Sequence, residues 1–428
     1  MKKMMSDEYA VYLPAVNSTY ANCITKPILP NRPFPNTIQL TDLEFWNKNS
    51  KLFYHPHYLH SVGQYSVGKA PDNAVTRRGK TDGVLIGDSG GFQIGKGRLK
   101  GIVGLRNGLS ADAIFEVWHD AYDAKQWIMS WLETYTNYAM TIDMPLWSTT
   151  AKGNESPFHV CSIQQLTDLT VDNLKFIDTY RQHKTKWLNV LQGVDRQGVI
   201  NWWNAVKWFD CSGYALGGNA GHYGGLKNTL ATLLMLRDDN ALIAGRDWIH
   251  ILGVSTTKWA VMSTAMQTAL QSINNNIRVS FDSASPFQTA GRLEEYVITP
   301  NFGLDKKDWL LRSTKCPQST LHFGSNEPLP FSSPLANKLT LGDLNITNDI
   351  FANKQFDSLS CTILCNHNVW SFLDAFQTAN NLVFANNRSE VPTLLIQCVD
   401  FVAEVFTAPD WQTALDNNTQ LLTEFDKW

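Results

Sequence analysis

With 428 residues, 43% of them hydrophobic and 18% charged, the chain can bury one large barrel with appendages or two to three average domains. A net charge of −3, from 36 basic and 39 acidic residues, gives no global signal for nucleic-acid binding. No apolar stretch is long enough to span a bilayer, and Lys2 and Lys3 precede no apolar leader region. A cytoplasmic protein is therefore expected (in the host cytoplasm if virus-encoded), with no membrane partner.

Runs of apolar, β-branched and aromatic residues that stop at Gly, Pro, Asn or Asp predict strands at 11–14, 52–55, 84–86, 138–142, 187–191, 213–216, 248–252 and 277–281. Helical periodicity fills 111–136, 162–179, 197–208, 226–236 and 257–272 between them. Strand–helix alternation implies parallel strands with right-handed crossovers, and eight units predict an α/β fold of the (β/α)8 barrel type. An open doubly wound sheet would gather its glycine-rich turns at one switch point, whereas here they recur at many strand ends. Residues 1–315 are assigned to the barrel with an N-terminal extension. The Ser-, Pro-, Asn- and Thr-rich 316–356 reads as an insertion or extended loop, and 357–428 as a small C-terminal helical subdomain. The helical spacing of Trp202, Trp203 and Trp208 favours barrel packing over stacking on a base.

Polar chemistry gathers where the predicted strands end. The second runs into His55-Pro56-His57-Tyr58, the third ends at Asp88 and the fourth at Asp143-Met144-Pro145. The fifth ends at Gln192-Gly193, the sixth at Gly217-Gly218-Asn219, the seventh at Gly253-Val254-Ser255 and the eighth at Asp282-Ser283. Any one of these residues can be a turn former or helix cap. Three carboxylates and an amide on one barrel mouth read instead as an active site. Adjacent glycines in Gly87-Asp88-Ser89-Gly90-Gly91-Phe92-Gln93 let backbone approach a flat ligand closely. Arg77, Arg78, Lys80, Lys96, Arg98, Lys100 and Arg106 surround that run, and a local basic rim of this kind suits phosphates.

The pieces DSGGFQ at 88–93, the strand ending at Asp143, LQG at 191–193, YALGGNAG at 214–221, ILGVS at 251–255 and SFDSASP at 280–286 occur in an order that resembles the tRNA-guanine transglycosylase superfamily. The resemblance implies that Asp282 is the nucleophile and Asp88 the general acid/base. It implies that Asp143 accepts hydrogen bonds from guanine, that Gln192 and the Gly218 N–H donate to the base carbonyl, and that Phe92 and Leu252 sandwich the purine. Ser89, Gly217 and Asn219 complete the substrate set, with Asn219 near the substituent of an incoming 7-deazaguanine. Such chemistry needs one carboxylate below C1′ and a proton donor for the departing base.

Three departures from the family pattern limit what the resemblance implies, and the first two point to a branch that acts on DNA, placing a free 7-deazaguanine base such as preQ0. The arginine-bearing stretch after the nucleophile is replaced by Phe287-Gln288-Thr289-Ala290-Gly291, with only Arg292 beyond. The family's zinc motif is degraded to Cys361, Cys365 and His367, with Cys316 or His322 as distant candidates, so a structural zinc is left open, no metal ligand is assigned and no other cofactor is called for. The residues after Gly217-Gly218 lose their usual apolar and acidic character. Arg77, Arg78, Lys96 and Arg98 are then expected to hold the DNA backbone. The alternatives are an unusual tRNA-guanine transglycosylase, a non-catalytic nucleic-acid-binding barrel, and a barrel glycoside hydrolase using Asp143 and Asp282. Seven scattered cysteines, an odd number, predict reduced thiols rather than a disulfide framework, and oligomeric state is not encoded in any motif.

Overall fold

Eight parallel strands form a nearly closed barrel in a computed structural model that describes residues 3–26, 34–152, 155–217, 225–346, 356–385 and 388–428. The strands are β1 (Val11–Pro14), β2 (His57–Ser61), β3 (Val84–Asp88), β4 (Tyr138–Met140), β5 (Lys186–Leu191), β6 (Gly213–Leu216), β7 (Trp248–Ile251) and β8 (Arg278–Ser283). Each pairs in parallel with its sequence neighbour from β2 to β8, and β8 returns to β1. The seam between β1 and β2 is held by an Ala15–Leu59 bridge, the Val16 N–H donating to Leu59 O at 2.9 Å. The fold is a (β/α)8 barrel.

Period-two alternation decides which side chains fill the barrel. Val11, Leu13, Leu59, Ile86, Met140, Leu188, Val190, Ala215 and Trp248 form the interior cluster. Their neighbours, among them Tyr12, Tyr58, Leu85, Tyr214, Ile249 and Phe281, face out and pack on the helices. The N-terminal end of the barrel is plugged by aromatic rings, with Tyr138 and Trp248 centroids 4.6 Å apart. The opposite end, where the strands terminate, is the one left for a site.

The helices are α1 (Ser18–Thr25), α2 (Ala74–Arg77), α3 (Gly91–Gly95), α4 (Ala111–His119), α5 (Tyr122–Tyr135), α6 (Ile163–Tyr180), α7 (Arg196–Val206), α8 (Gly225–Asp238), α9 (Thr257–Gln271), α10 (Ser285–Gln288), α11 (Leu341–Leu344), α12 (Ser358–Phe384), α13 (Thr393–Val405), α14 (Trp411–Asn417) and α15 (Thr419–Lys427). Ser162, Asp195 and Thr256 cap α6, α7 and α9 by accepting from backbone N–H groups of the first turn. No helix among the described residues is long and apolar enough to cross a membrane.

After β8 the chain leaves the barrel, makes the antiparallel pair β9 (Glu295–Ile298) and β10 (Arg312–Lys315), and returns as α12. That helix lies between α9 and α1 and covers β1. Its Phe376 meets the outward rings of Tyr12 and Phe281 at 4.8 and 5.3 Å between centroids. Hence α12 occupies the place of the barrel's eighth helix, supplied some way along the chain by a segment that shares the barrel's hydrophobic core. The C-terminal α15 is tied down in turn: Asp426 Oδ1 accepts from Leu226 N–H at the start of α8 at 3.0 Å, and the Lys258 ammonium donates to Phe425 O.

Two sequence expectations are corrected here. The second strand is not 52–55 but β2, His57–Ser61, so the residue at its C-terminal end is Ser61 and not a histidine. Leu52 and Phe53 are buried as predicted for a strand, but they pack outside the sheet as part of the core around it. The helix over 111–136 is two helices, broken at Asp120-Ala121, where Ala121 N–H donates to Trp118 O and Tyr122 N–H to Asp120 O.

Candidate active site at the barrel mouth

The DSGGFQ run builds the turn that leaves β3. Gly90 has φ +91°, a conformation open to glycine, and a Cβ there would lie 2.8 Å from Gly63 Cα. Gly63 is equally constrained, because its own Cβ would meet Gln93 Oε1 at 2.7 Å. Two glycines therefore let the ends of β2 and β3 close on each other. Asp88, the last residue of β3, pairs in register with Ser61 on β2. Its Oδ1 accepts from Gly90 N–H at 3.2 Å.

Burial raises the Asp88 pKa above the usual carboxylate range; Ser61 and Gly90 pull against this, and the Asp282 carboxylate adds to the rise. Asp282 sits in β8, where Leu13 is its register partner, and is 8% exposed. Its Oδ1 receives the Gly253 N–H at 2.8 Å and lies 3.2 Å from His250 Nε2. Asp88 and Asp282 line one cavity of about 770 Å³, bounded by the barrel mouth, α1 and the first turns of α12.

Asp143 follows β4 and is 9% exposed. Burial first, and then the charge of Asp88, push its carboxyl up to about 7. It lies beside the glycine turn: a Cβ on Gly91 would contact its Oδ1 at 3.6 Å. Gln192, after β5, donates from Nε2 to the Asp143 carboxylate and to Met144 O at 3.1 Å, while its Oε1 accepts from Leu146 N–H at 2.8 Å. Both ends of that amide are engaged within the protein, so Gln192 here orients Asp143 rather than presenting a free donor. The charge of Asp282 disfavours ionisation of Asp88, and the charge of Asp88 disfavours ionisation of Asp143.

The other predicted residues divide between the site and its support. Phe92 is 58% exposed, lines the cavity at the mouth and lies 5.8 Å from Trp147 between centroids. Leu252 packs against the barrel-interior cluster from the end of β7. Ser89 is fully buried and donates to Thr141 O at 3.0 Å, fixing the turn from below. Gly217 donates its N–H to Leu191 O at 2.8 Å and leaves room for Gln192, whose Cγ a Cβ would touch at 3.5 Å. Gly218 and Asn219 lie outside the described residues.

The expected basic rim is not one surface. Arg78 donates to Tyr135 O, Gly83 O and Asn137 Oδ1 at 3.0, 2.8 and 3.1 Å, all at positions that precede β3 and β4. Lys80 donates to Glu133 O and to Lys184 O, just before β5. Arg77 pairs with Asp72 on that same side. These three cations belong to the N-terminal end of the barrel, one strand length of roughly 16 Å from the Asp88 end. Lys96 and Arg98 instead follow α3, beyond the turn that leaves β3 at Asp88. Lys96 bonds Glu155 at 3.1 Å and lies over the Trp147 ring at 5.2 Å, and Arg98 is exposed.

The candidate zinc ligands do not converge. Cys361 and Cys365 share α12, but the Cys365 thiol faces Phe287 O at 3.9 Å, and His367 turns to Val297 O at 3.0 Å and stacks on Phe331. His322 lies beside Glu327. Among the described residues no three His, Cys, Asp or Glu side chains gather as a metal site would require.

Residues that sequence reasoning missed are His250, Ser280 and Ser61. His250 and Ser280 alternate inward within apolar strands, a period-two signal visible in Trp-Ile-His-Ile and Val-Ser-Phe-Asp once both strands are placed. No protein-family model and no curated protein matches the chain.

Proposed function

We propose that this chain is a guanine transglycosylase that acts on DNA and exchanges guanine for a 7-deazaguanine base of the preQ0 type through a covalent glycosyl-aspartate. One observation carries the reading: Asp88 and Asp282, from the ends of β3 and β8, line one cavity, and the former is held toward its protonated form beside the latter. A carboxyl group held toward its acid form beside a second carboxyl group in one cavity suits glycosyl transfer through an enzyme ester.

In the first half-reaction an Asp282 oxygen forms a bond to C1′. The C1′–N9 bond breaks, its electron pair leaves with the base, and the Asp88 carboxyl gives its proton to a ring nitrogen. In the second half the incoming base yields its N9 proton to the Asp88 carboxylate. N9 then bonds to C1′ and the ester bond to Asp282 breaks, restoring both carboxyl groups with net retention. Asp143, oriented by Gln192, would read the ring N–H and amino group of guanine. Phe92 would cover the ring.

DNA is favoured over tRNA by the segment after β8. Phe287 and Ala290 are buried and leave Arg292 as the single cation of that stretch at the cavity. A duplex substrate must extrude its guanine into the mouth. Incubation with labelled guanine or labelled preQ0 and either duplex DNA or tRNA tests the reading. Label in DNA is the expected result. Label in tRNA alone replaces the substrate, and label in neither leaves a binding barrel.

A further inference from the structure

Below the cavity floor a chain of buried polar groups leads to Asp282. The Trp248 indole N–H donates to Ser280 Oγ at 2.7 Å, His250 Nδ1 lies 2.8 Å from that same oxygen, and His250 Nε2 lies 3.2 Å from Asp282 Oδ1. His250 and Ser280 are fully buried and stand opposite each other in the β7–β8 register. With the imidazole neutral and Asp282 a carboxylate, one arrangement of hydrogens gives every donor in this chain an acceptor. An indole N–H can only donate, so the Ser280 oxygen accepts there and its own hydrogen is left for His250 Nδ1. Nδ1 then accepts, the imidazole hydrogen sits on Nε2, and Nε2 donates to the carboxylate.

The Gly253 N–H reaches the same carboxylate oxygen at 2.8 Å. Two donors therefore converge on Oδ1, while Oδ2 receives no hydrogen bond from the described residues. A carboxylate held by one oxygen cannot rotate freely about its Cβ–Cγ bond, and the other oxygen is presented in a fixed direction. Ordering of this kind is worth most where the reacting oxygen must meet one carbon.

We propose that His250 is a positioning residue for the exchange reaction, locked in its Nε2–H form by Trp248 and Ser280 so that Oδ1 is anchored and Oδ2 is the oxygen that bonds to C1′. The inference rests on the reading of Asp282 as nucleophile. The Oδ2 electron pair forms the new bond while the C1′–N9 pair leaves with the base, which takes its proton from Asp88. His250 keeps its hydrogen throughout. Once Oδ2 is esterified, Oδ1 is the ester carbonyl oxygen, and the same two donors stabilise charge returning to it when the ester breaks.

The test compares wild type with His250→Phe and His250→Gln in the full chain, using duplex DNA and preQ0. His250→Phe is expected to lower kcat by roughly 100-fold, the scale on which a buried donor to a reacting carboxyl acts, with KM for the base within about twofold. His250→Gln places an amide N–H near the same oxygen and should recover most of that loss. Equal losses in the two variants, or a loss confined to KM, would overturn the proposal in favour of simple packing. If His250→Phe fails to fold by circular dichroism, the glutamine variant decides alone: a loss as deep as that of Asp282→Asn overturns the proposal. Ring-nitrogen NMR of the 15N-histidine-labelled wild type is independent of activity. Hydrogen on Nε2 is expected, and hydrogen on Nδ1 overturns the lock. Wild type that exchanges no base would sink the functional reading, and the NMR result would still decide the lock.

Discussion

Gln192 is clamped against Asp143 by the loop that follows β4. Leu146 N–H can only donate, so it fixes the Gln192 carbonyl oxygen at 2.8 Å and obliges the amide N–H₂ to face the Asp143 carboxylate. One amide donor does not replace the water that burial removes. With Asp88 adding its charge, the Asp143 carboxyl is pushed up to about 7.

Base binding should follow that proton. A protonated Asp143 presents a hydrogen toward the N–H edge of guanine and must lose it before it can accept. Affinity for free guanine should weaken about tenfold per pH unit below 7 and level off above about 8. Asp143→Asn should bind guanine weakly at every pH, with the slope gone. Calorimetric titrations from pH 5.5 to 8.5 measure both, and a flat wild-type profile would mean that Asp143 does not read the base. The same shift acts on stability with a defined sign. The folded protein keeps a proton that the unfolded chain has released, so this group's contribution is most favourable below the unfolded carboxyl range and is lost as pH rises through 7. Asp143→Asn should flatten that fall in thermal melts.

Removing either Asp282 or Asp88 should stop the proposed chemistry in its first half. Asp282→Asn is expected to cut exchange by at least about a thousandfold and to trap no covalent DNA adduct, with guanine affinity kept. Asp88→Asn should also abolish turnover, because guanine would depart without a proton. Denaturing gels with labelled DNA should show no adduct for either variant, because both block departure of guanine. An adduct with Asp282→Asn would move the nucleophile elsewhere.

Much of this architecture is legible in the sequence because the barrel strands obey simple rules. β6 is found where Gly-Tyr-Ala-Leu is bounded by turn residues, and β3 and β5 follow the same pattern to within two residues. β2 escapes detection for a physical reason. Its inner face carries the half-buried His57 and its outer face the fully buried His60, whose Nδ1 reaches Val16 O at the seam at 2.8 Å. Burial holds the His60 pKa down to about 4, so a neutral ring fills a position that an alternation rule reads as polar. The apolar Leu52 and Phe53 then draw the assignment to themselves. Asp88, Asp143 and Asp282 are visible as strand-end residues. The donors behind Asp282 are not, because their role depends on which residues β7 and β8 place side by side. The split of the cations is also a matter of strand direction: Arg77 and Arg78 are close to Asp88 in sequence, with the whole of β3 between them and the carboxylate.

Two interior glycines should be intolerant of a single methyl group. A Cβ on Gly213 would sit 2.0 Å from Trp248 O, a backbone atom of the adjacent strand that cannot step aside without breaking the ladder. On Gly87 it would meet Leu132 Cδ2 and Thr136 Cγ2 at 2.5 and 2.6 Å, side-chain atoms of and just beyond α5 that can shift in part. Gly213→Ala is expected to cost about 3 kcal/mol or more and Gly87→Ala about 1–2 kcal/mol. Urea unfolding of both variants tests the order, and equal costs would show that the strand ladder at Gly213 relaxes as readily as α5.

The cations near the mouth should affect DNA binding differently from those at the far end. Lys96 and Arg98 follow α3 directly, with Lys96 over the Trp147 ring that also meets Phe92, whereas Arg77 and Arg78 are engaged with Asp72 and with backbone carbonyls ahead of β3 and β4. A phosphate backbone that delivers a flipped guanine to Asp88 passes the first pair and cannot reach the second. Lys96→Gln with Arg98→Gln should weaken duplex DNA binding and reduce the salt slope by about one to two, one unit for each phosphate left without its cation. Free preQ0 affinity should be unchanged, because neither side chain enters the purine slot. Arg77→Gln with Arg78→Gln should leave the slope intact. The second of these substitutions should lower the melting temperature, since Arg78 ties three chain segments together through Tyr135, Gly83 and Asn137. DNA affinity measured between about 50 and 200 mM salt for both double variants decides the matter. A slope reduced by the Arg77 and Arg78 changes alone would place the DNA track along the N-terminal face of the barrel and away from the carboxylates.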